Sequence, residues 1–167
     1  MVARVSGQRW GEINFQAADR QLDIYLIYAP YGREPVPLSE REMEIVEWVL
    51  ENSEEIGHSI VDAVHSNCAE LLATSSSTRK HDNPLPNIQS REEVLRHISL
   101  NAIYIHHLPD VPGTIIGAEL GCTWDRWGVG VLLSGSTVLR VGSLETAFSE
   151  TLARQYASEP SGTKASD

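Results

Sequence analysis

A chain of 167 residues with 41% hydrophobic and 22% charged residues suits one domain with a buried core, and its formal net charge of −10 leaves no basic footprint for a phosphate backbone, which argues against nucleic-acid binding. The two cysteines, Cys68 and Cys122, are far apart and lack a Cys-x-x-Cys spacing, so neither a disulfide framework nor a zinc ribbon is expected. No apolar run reaches the length of a signal peptide or a membrane span, and a cytoplasmic protein that meets no membrane is the resulting expectation.

Trp10 to Phe15 and Leu22 to Tyr28 are rich in aromatic and β-branched residues and predict a β-hairpin, with Leu22, Ile24 and Leu26 on one face and Asp23 and Tyr25 on the other. Pro30, Gly32, Pro35 and Pro37 then interrupt regular structure. Ser39 with Glu42 matches a capping box, so a helix begins at Glu40. Ile45, Val46, Val49 and Leu50 form its apolar side, while Glu40, Glu44, Glu47, Glu51 and Glu54 recur at steps of four and three as a carboxylate stripe. Asn52-Ser53 is a place to end this helix and begin a second, whose buried stripe is Ile56, Ile60, Ala63, Val64 and Leu71; an unbroken helix is the alternative.

Thr74 to Gln89 shows no periodicity and predicts a mobile loop. Ser90 with Glu93 is a second capping box and opens a short helix to about His97. Ile98 to His106, Thr114 to Trp124, Gly128 to Ser134 and Thr137 to Val141 predict strands, joined by turns too short for a crossover and therefore antiparallel. A two-residue turn at Gly135-Ser136 would pair Leu133 with Val138 on one face and Leu132 with Leu139 on the other. Both faces would then be apolar, so this hairpin is covered on both sides or meets another subunit, which leaves a homodimer open. Leu144 to Tyr156 predicts a last helix. The expected fold is α+β: one domain over residues 1–156, in which a mostly antiparallel sheet (N-terminal hairpin plus C-terminal meander) packs against a central helical hairpin, with a polar, disordered tail over 157–167.

The residues do not assemble a catalytic constellation. His58 and His65 share a helical face but lie about 10 Å apart along the axis, so they cannot share a metal, and only a weak His58/Asp62 chelate is geometrically open. His106 and His107 are adjacent on a strand and point to opposite faces. No Gly-x-Ser-x-Gly elbow occurs, both cysteines fall on apolar faces, and Gly128-Val129-Gly130 lacks the third glycine and following helix of a phosphate loop. Neither a catalytic residue, a metal nor a cofactor is therefore expected. The most individual segment is Cys122 to Val131. Asp125 suits the first position of a turn, Gly128 supplies positive φ, and Arg126 and Trp127 are left at an edge with the side-chain types that anchor binding hot spots.

Leu100 to Val141 also carries Ile-Gly-x-x-x-x-Cys-x-Trp-Asp, Gly-x-Gly-Val and Val-x-x-Val-Gly. In these motifs the chain resembles the C-terminal half of an uncharacterised bacterial domain family, some of whose members resemble immunity proteins that neutralise toxins of competing bacteria. Members carry a Glu-His pair between Trp-Asp and Gly-x-Gly-Val; here that interval holds only Arg126-Trp127, so any role of the pair is absent. The resemblance implies an immunity-type binding protein, and acidity implies that its cognate toxin or effector is basic. The expected partner-binding residues are Glu44, Glu47, Glu51, Asp125, Arg126 and Trp127. The alternative is a small enzyme or ligand-binding domain with a pocket between helices and sheet, using Asp125, His106 or His107.

Overall fold

The computed structural model of the protein describes residues 1–5, 10–13, 24–32, 36–77 and 85–158. Two short strands, β1 (Val2–Val5) and β2 (Ile24–Tyr28), precede four helices, α1 (Glu40–Glu51), α2 (Ser53–Ser66), α3 (Cys68–Ser77) and α4 (Arg91–His97). Then come β3 (Ile98–His106), β4 (Ile115–Cys122), β5 (Asp125–Ser134), β6 (Thr137–Ser143), α5 (Glu145–Phe148) and α6 (Glu150–Ser158). The strands form one sheet in chain order, antiparallel throughout except between β2 and β3. That parallel pair follows from the connection: the chain leaves β2, runs through four helices and re-enters the sheet from the end where it began. The α+β class and the mostly antiparallel sheet agree with the sequence pattern.

The first strand of the N-terminal hairpin is not Trp10 to Phe15. β1 takes that place, and Trp10–Ile13 makes a turn that crosses α2 at Gly57, where a Cβ would overlap the Trp10 carbonyl. Trp10 and Ile13 are apolar because they are buried against helices, so burial rather than strand pairing accounts for their type. Phe15, Leu22 and Asp23 lie outside the described residues; Ile24 and Leu26 face the core and Tyr25 the opposite side, as period two requires.

Both capping boxes form. Ser39 Oγ accepts from the Glu42 amide and Glu42 Oε2 accepts from the Ser39 amide at 2.7 Å, with the same pattern at Ser90 and Glu93. α1 and α2 are separate helices, because the Asn52 side chain donates to the Trp48 carbonyl at 2.8 Å and closes α1. α3 continues to Ser77, so the first four residues of the expected loop are helical; 78–84 lie outside the described residues and 85–89 have no regular structure.

One face of the sheet carries the main core. Leu26, Ile103, Ile105, Ile116, Ala118, Leu120, Val131 and Leu133 meet Val49, Ile56, Ile60, Val61 and Val64 from the helices. On the other face α5 settles on three glycines of neighbouring strands. A Cβ on Gly117 would overlap the Ala147 carbonyl; one on Gly130 would lie 2.7 Å from the Ala147 nitrogen, and one on Gly142 2.7 Å from Thr146 Oγ1. Glycine at these positions lets one helical turn lie directly on the strands. Beside it, Leu108, Ile115, Leu132 and Ala153 form a second core that Leu139 and Tyr156 border.

The β5–β6 hairpin is therefore covered on both sides within the chain. Leu133 pairs with Val138 as expected, but Leu132 opposes Arg140, since a bulge at Leu139 shifts the register. The expected last helix breaks at Ser149, whose ψ of 117° is extended, giving α5 and α6. Ala157 and Ser158 close α6 and are not part of a tail; 159–167 lie outside the described residues. Cys68 is buried, whereas Cys122 is only half-buried, at the end of β4 where the alternating face runs out.

Candidate functional site

The hairpin between β4 and β5 turns at Thr123-Trp124, not at Asp125 to Gly128, because Cys122 pairs with Asp125. Trp124 drops into the core at 1% exposure, its ring edge-on to His97 at 6.4 Å between centroids. The turn is tied to the end of α4 by two further bonds: the Thr123 amide donates to the His97 carbonyl at 3.0 Å, and Thr123 Oγ1 lies 2.7 Å from His97 Nδ1. Between the pairs Cys122–Asp125 and Leu120–Val129, three residues of β5 oppose Gly121 alone, so Arg126, Trp127 and Gly128 bulge out of the ladder. Asp125 Oδ1 accepts from the Trp127 amide at 2.9 Å, the expected Asx bond, and Gly128 takes φ of +84°. The result is a fixed projection. Trp127 is 68% exposed, and the Arg126 guanidinium lies 4.4 Å from its ring centroid, which pre-organises both side chains through a cation–π contact.

Glu40, Glu44, Glu47, Glu51 and Glu54 are all exposed, and among the described residues none has an ion-pair partner. Carboxylates elsewhere do: Arg91 holds Glu12 and Asp62, and Arg154 holds Asp110 and Glu150. The stripe lies at the other end of the sheet from the bulge. Glu42 of α1 reaches His107 just after β3, and Glu55 of α2 accepts from Ser136 in the β5–β6 turn at 2.7 Å. Asp125 and Ser134 at the two ends of β5 pair with Cys122 and Ile115, which are seven residue steps of β4 apart, so about 24 Å separates the two ends. Glu44, Glu47 and Glu51 thus share one surface and Asp125, Arg126 and Trp127 another; the structure does not bring the two sets together.

The histidines have definite partners. Arg91 Nη2 donates to His58 Nδ1 at 2.8 Å and Arg91 Nε to Asp62 at 2.6 Å, so a guanidinium sits where the weak chelate would have placed a metal. No group of three metal-ligating side chains occurs among the described residues. His106 is buried on the second face of the sheet. Its Nε2 donates to the Ala147 carbonyl at 2.9 Å, which fixes the tautomer, and Nδ1 accepts from the Tyr31 hydroxyl at 3.0 Å. Burial holds this imidazole below its ordinary range and, with Glu150 nearby, pushes the Tyr31 hydroxyl above its own. His107, beyond the end of β3, lies 2.9 Å from the Tyr28 hydroxyl. This Tyr–His cluster stands at the carboxyl ends of the parallel pair, beside Ala29 in the left-handed region at φ of +50°. Sequence reasoning noticed the two histidines and missed both tyrosines, which lie more than 70 positions away; no local signal joins them.

A family model described as a domain of unknown function, DUF6985, matches residues 4–148. The chain belongs to the DUF6985 family. The DUF6985 match takes in far more than Leu100 to Val141: it runs from Arg4 to the end of α5, includes the three glycines and the turn that rests on them, and leaves α6 outside. Neither curated proteins nor solved structures give a match to this chain. No described helix is long and apolar enough to cross a membrane.

Proposed function

We propose that this DUF6985 protein is an immunity-type binding protein that covers the active surface of a bacterial toxin or effector in the cytoplasm, with Trp127 and Arg126 as its contact anchor. The observation that carries the reading is the projection itself. A large aromatic at 68% exposure costs solvation, yet here it is held by a backbone bond from its own amide, a glycine with positive φ and a stacked arginine. Pre-organised Trp and Arg lose little entropy on binding, which is why such residues dominate interface energetics. The exposed carboxylate stripe, which has no ion-pair partner among the described residues, supports a basic partner, whose approach it would accelerate. A partner of small-domain size, about 30 Å across, reaches from the bulge to the stripe.

A photo-crosslinking amino acid at position 127, compared with one at the exposed position Glu70 of α3, tests this in cells of the native host. The reading expects one saturable protein adduct from position 127, competed by the native chain, and a captured protein that arrests growth when expressed alone and is neutral when co-expressed with this chain. Adducts identical from the two positions would overturn it. The alternative, a small enzyme or ligand-binding domain, draws on the Tyr31–His106 pair. Both imidazole nitrogens are already engaged, by Ala147 and Tyr31, so His106 has no lone pair left for a substrate proton.

A further inference from the structure

The surfaces at the two ends of the sheet carry opposite charge. At one end α1 and the start of α2 present Glu40, Glu44, Glu47, Glu51 and Glu54; at the other, about 24 Å away along β4, the exposed charged side chain of the bulge is Arg126. Its charge is not used within the chain. Among the described residues no carboxylate lies within ion-pair distance of Arg126, whereas Arg91 holds Glu12 and Asp62, and Arg154 holds Asp110 and Glu150. The neighbouring carboxylate, Asp125, turns Oδ1 to the Trp127 amide instead. What holds the guanidinium is the indole face, with the ring centroid 4.4 Å away. Such a stack fixes one flat side of the guanidinium and leaves the N–H donors around its rim for another group.

We propose that Arg126 receives a carboxylate of the protein partner in a two-pronged contact, with the Trp127 ring as its apolar wall, so that the partner's face changes sign along the interface: basic against α1 and acidic against the bulge. This rests on the proposed function above and names the chemistry of its partner. The planar fork of a guanidinium matches the two oxygens of a carboxylate. Phosphate fits the same fork, but a nucleic acid would also meet the carboxylate stripe, and a chain of net charge −10 repels it. A uniformly basic partner would set a cation against Arg126 and lose there part of what it gains at the stripe. The sign change also fixes which way round the partner docks. Because the guanidinium is already stacked, it gives up little freedom when the carboxylate arrives. Covering Trp127 excludes water from the ion pair, so this contact governs how slowly the partner leaves, while the open stripe governs how fast it arrives.

Binding kinetics of the protein captured at position 127 supply the test. Arg126→Ala should speed its dissociation about 30-fold or more, and Arg126→Lys, which keeps the charge and loses the fork, about tenfold, with association and its salt dependence close to native. Arg126 is exposed, so the circular dichroism and melting of both variants should match the native chain. Replacing the captured protein's Asp and Glu residues one at a time by Asn and Gln should find one whose loss weakens binding to the native chain and has little further effect on binding to Arg126→Ala. Arg126→Lys dissociating as slowly as the native chain, or no carboxylate coupled to Arg126, overturns this inference alone, provided that Trp127→Ala still weakens binding. A Trp127→Ala chain that binds like the native one overturns the proposed function and this inference with it.

Discussion

Replacing Trp124 by alanine tests the base on which the proposed anchor stands. A buried tryptophan removes roughly 200 Å² from water, worth about 5 kcal/mol at 25 cal/mol per Å² as an upper bound. Its indole Nε1 has no hydrogen-bond partner among the described residues, and a buried donor left unpaired costs about 1–3 kcal/mol, which truncation recovers. The expected net loss is therefore about 3 kcal/mol, at the lower end for a large buried aromatic. For a chain of this size that lowers the melting temperature by about 6–12 °C. Trp124→Phe keeps an aromatic ring against His97 and removes the unpaired N–H, so it should cost within about 1 kcal/mol. Thermal unfolding followed by near-ultraviolet circular dichroism compares the three chains. A melting temperature for Trp124→Ala within 2 °C of native would refute the burial argument.

Gly117→Ala pushes a methyl group into the Ala147 carbonyl, so it should destabilise by about 1–3 kcal/mol and raise amide exchange in α5; an unchanged urea midpoint would contradict the close contact. The pH dependence of stability carries a sign set by His106. Burial favours its neutral form in the folded state, so stability is full above the unfolded value of about 6.5 and falls as pH drops below it. His106→Gln, whose amide can still donate to Ala147 and accept from Tyr31, should flatten the loss between pH 7 and 5; a slope equal to native would rule out this origin. Reversing Glu44, Glu47 and Glu51 to lysine should slow association with the captured partner several-fold and flatten its salt dependence while the fold stays intact, and stopped-flow rates equal to native would remove the stripe from the approach path.

Local rules were legible wherever the chain satisfies itself within a few residues. The capping boxes at Ser39 and Ser90, the two-residue turn at Gly135-Ser136 and the Asx bond of Asp125 are all contacts closed over short spacings. What stayed hidden depends on distant partners. Trp10 and Ile13 read as a strand because apolar type is the same whether a residue faces a sheet neighbour or a helix. The parallel β2–β3 pair was invisible because it is set by where four helices return the chain. Gly117, Gly130 and Gly142 were recognised as parts of motifs, but their use, a bed for α5, needs three strands in register. The Tyr28 and Tyr31 hydroxyls reach histidines across the fold for the same reason.

The central claim is that binding energy sits in the Arg126–Trp127 projection, and the affinity of Trp127→Ala for the captured partner tests it most directly. Trp127 is largely exposed in the free chain, so its removal should leave the melting temperature within about 2 °C of native. Surface plasmon resonance should show dissociation at least 30-fold faster, equivalent to about 2 kcal/mol or more, with association changed little. Dissociation of Trp127→Ala as slow as that of the native chain would contradict the account.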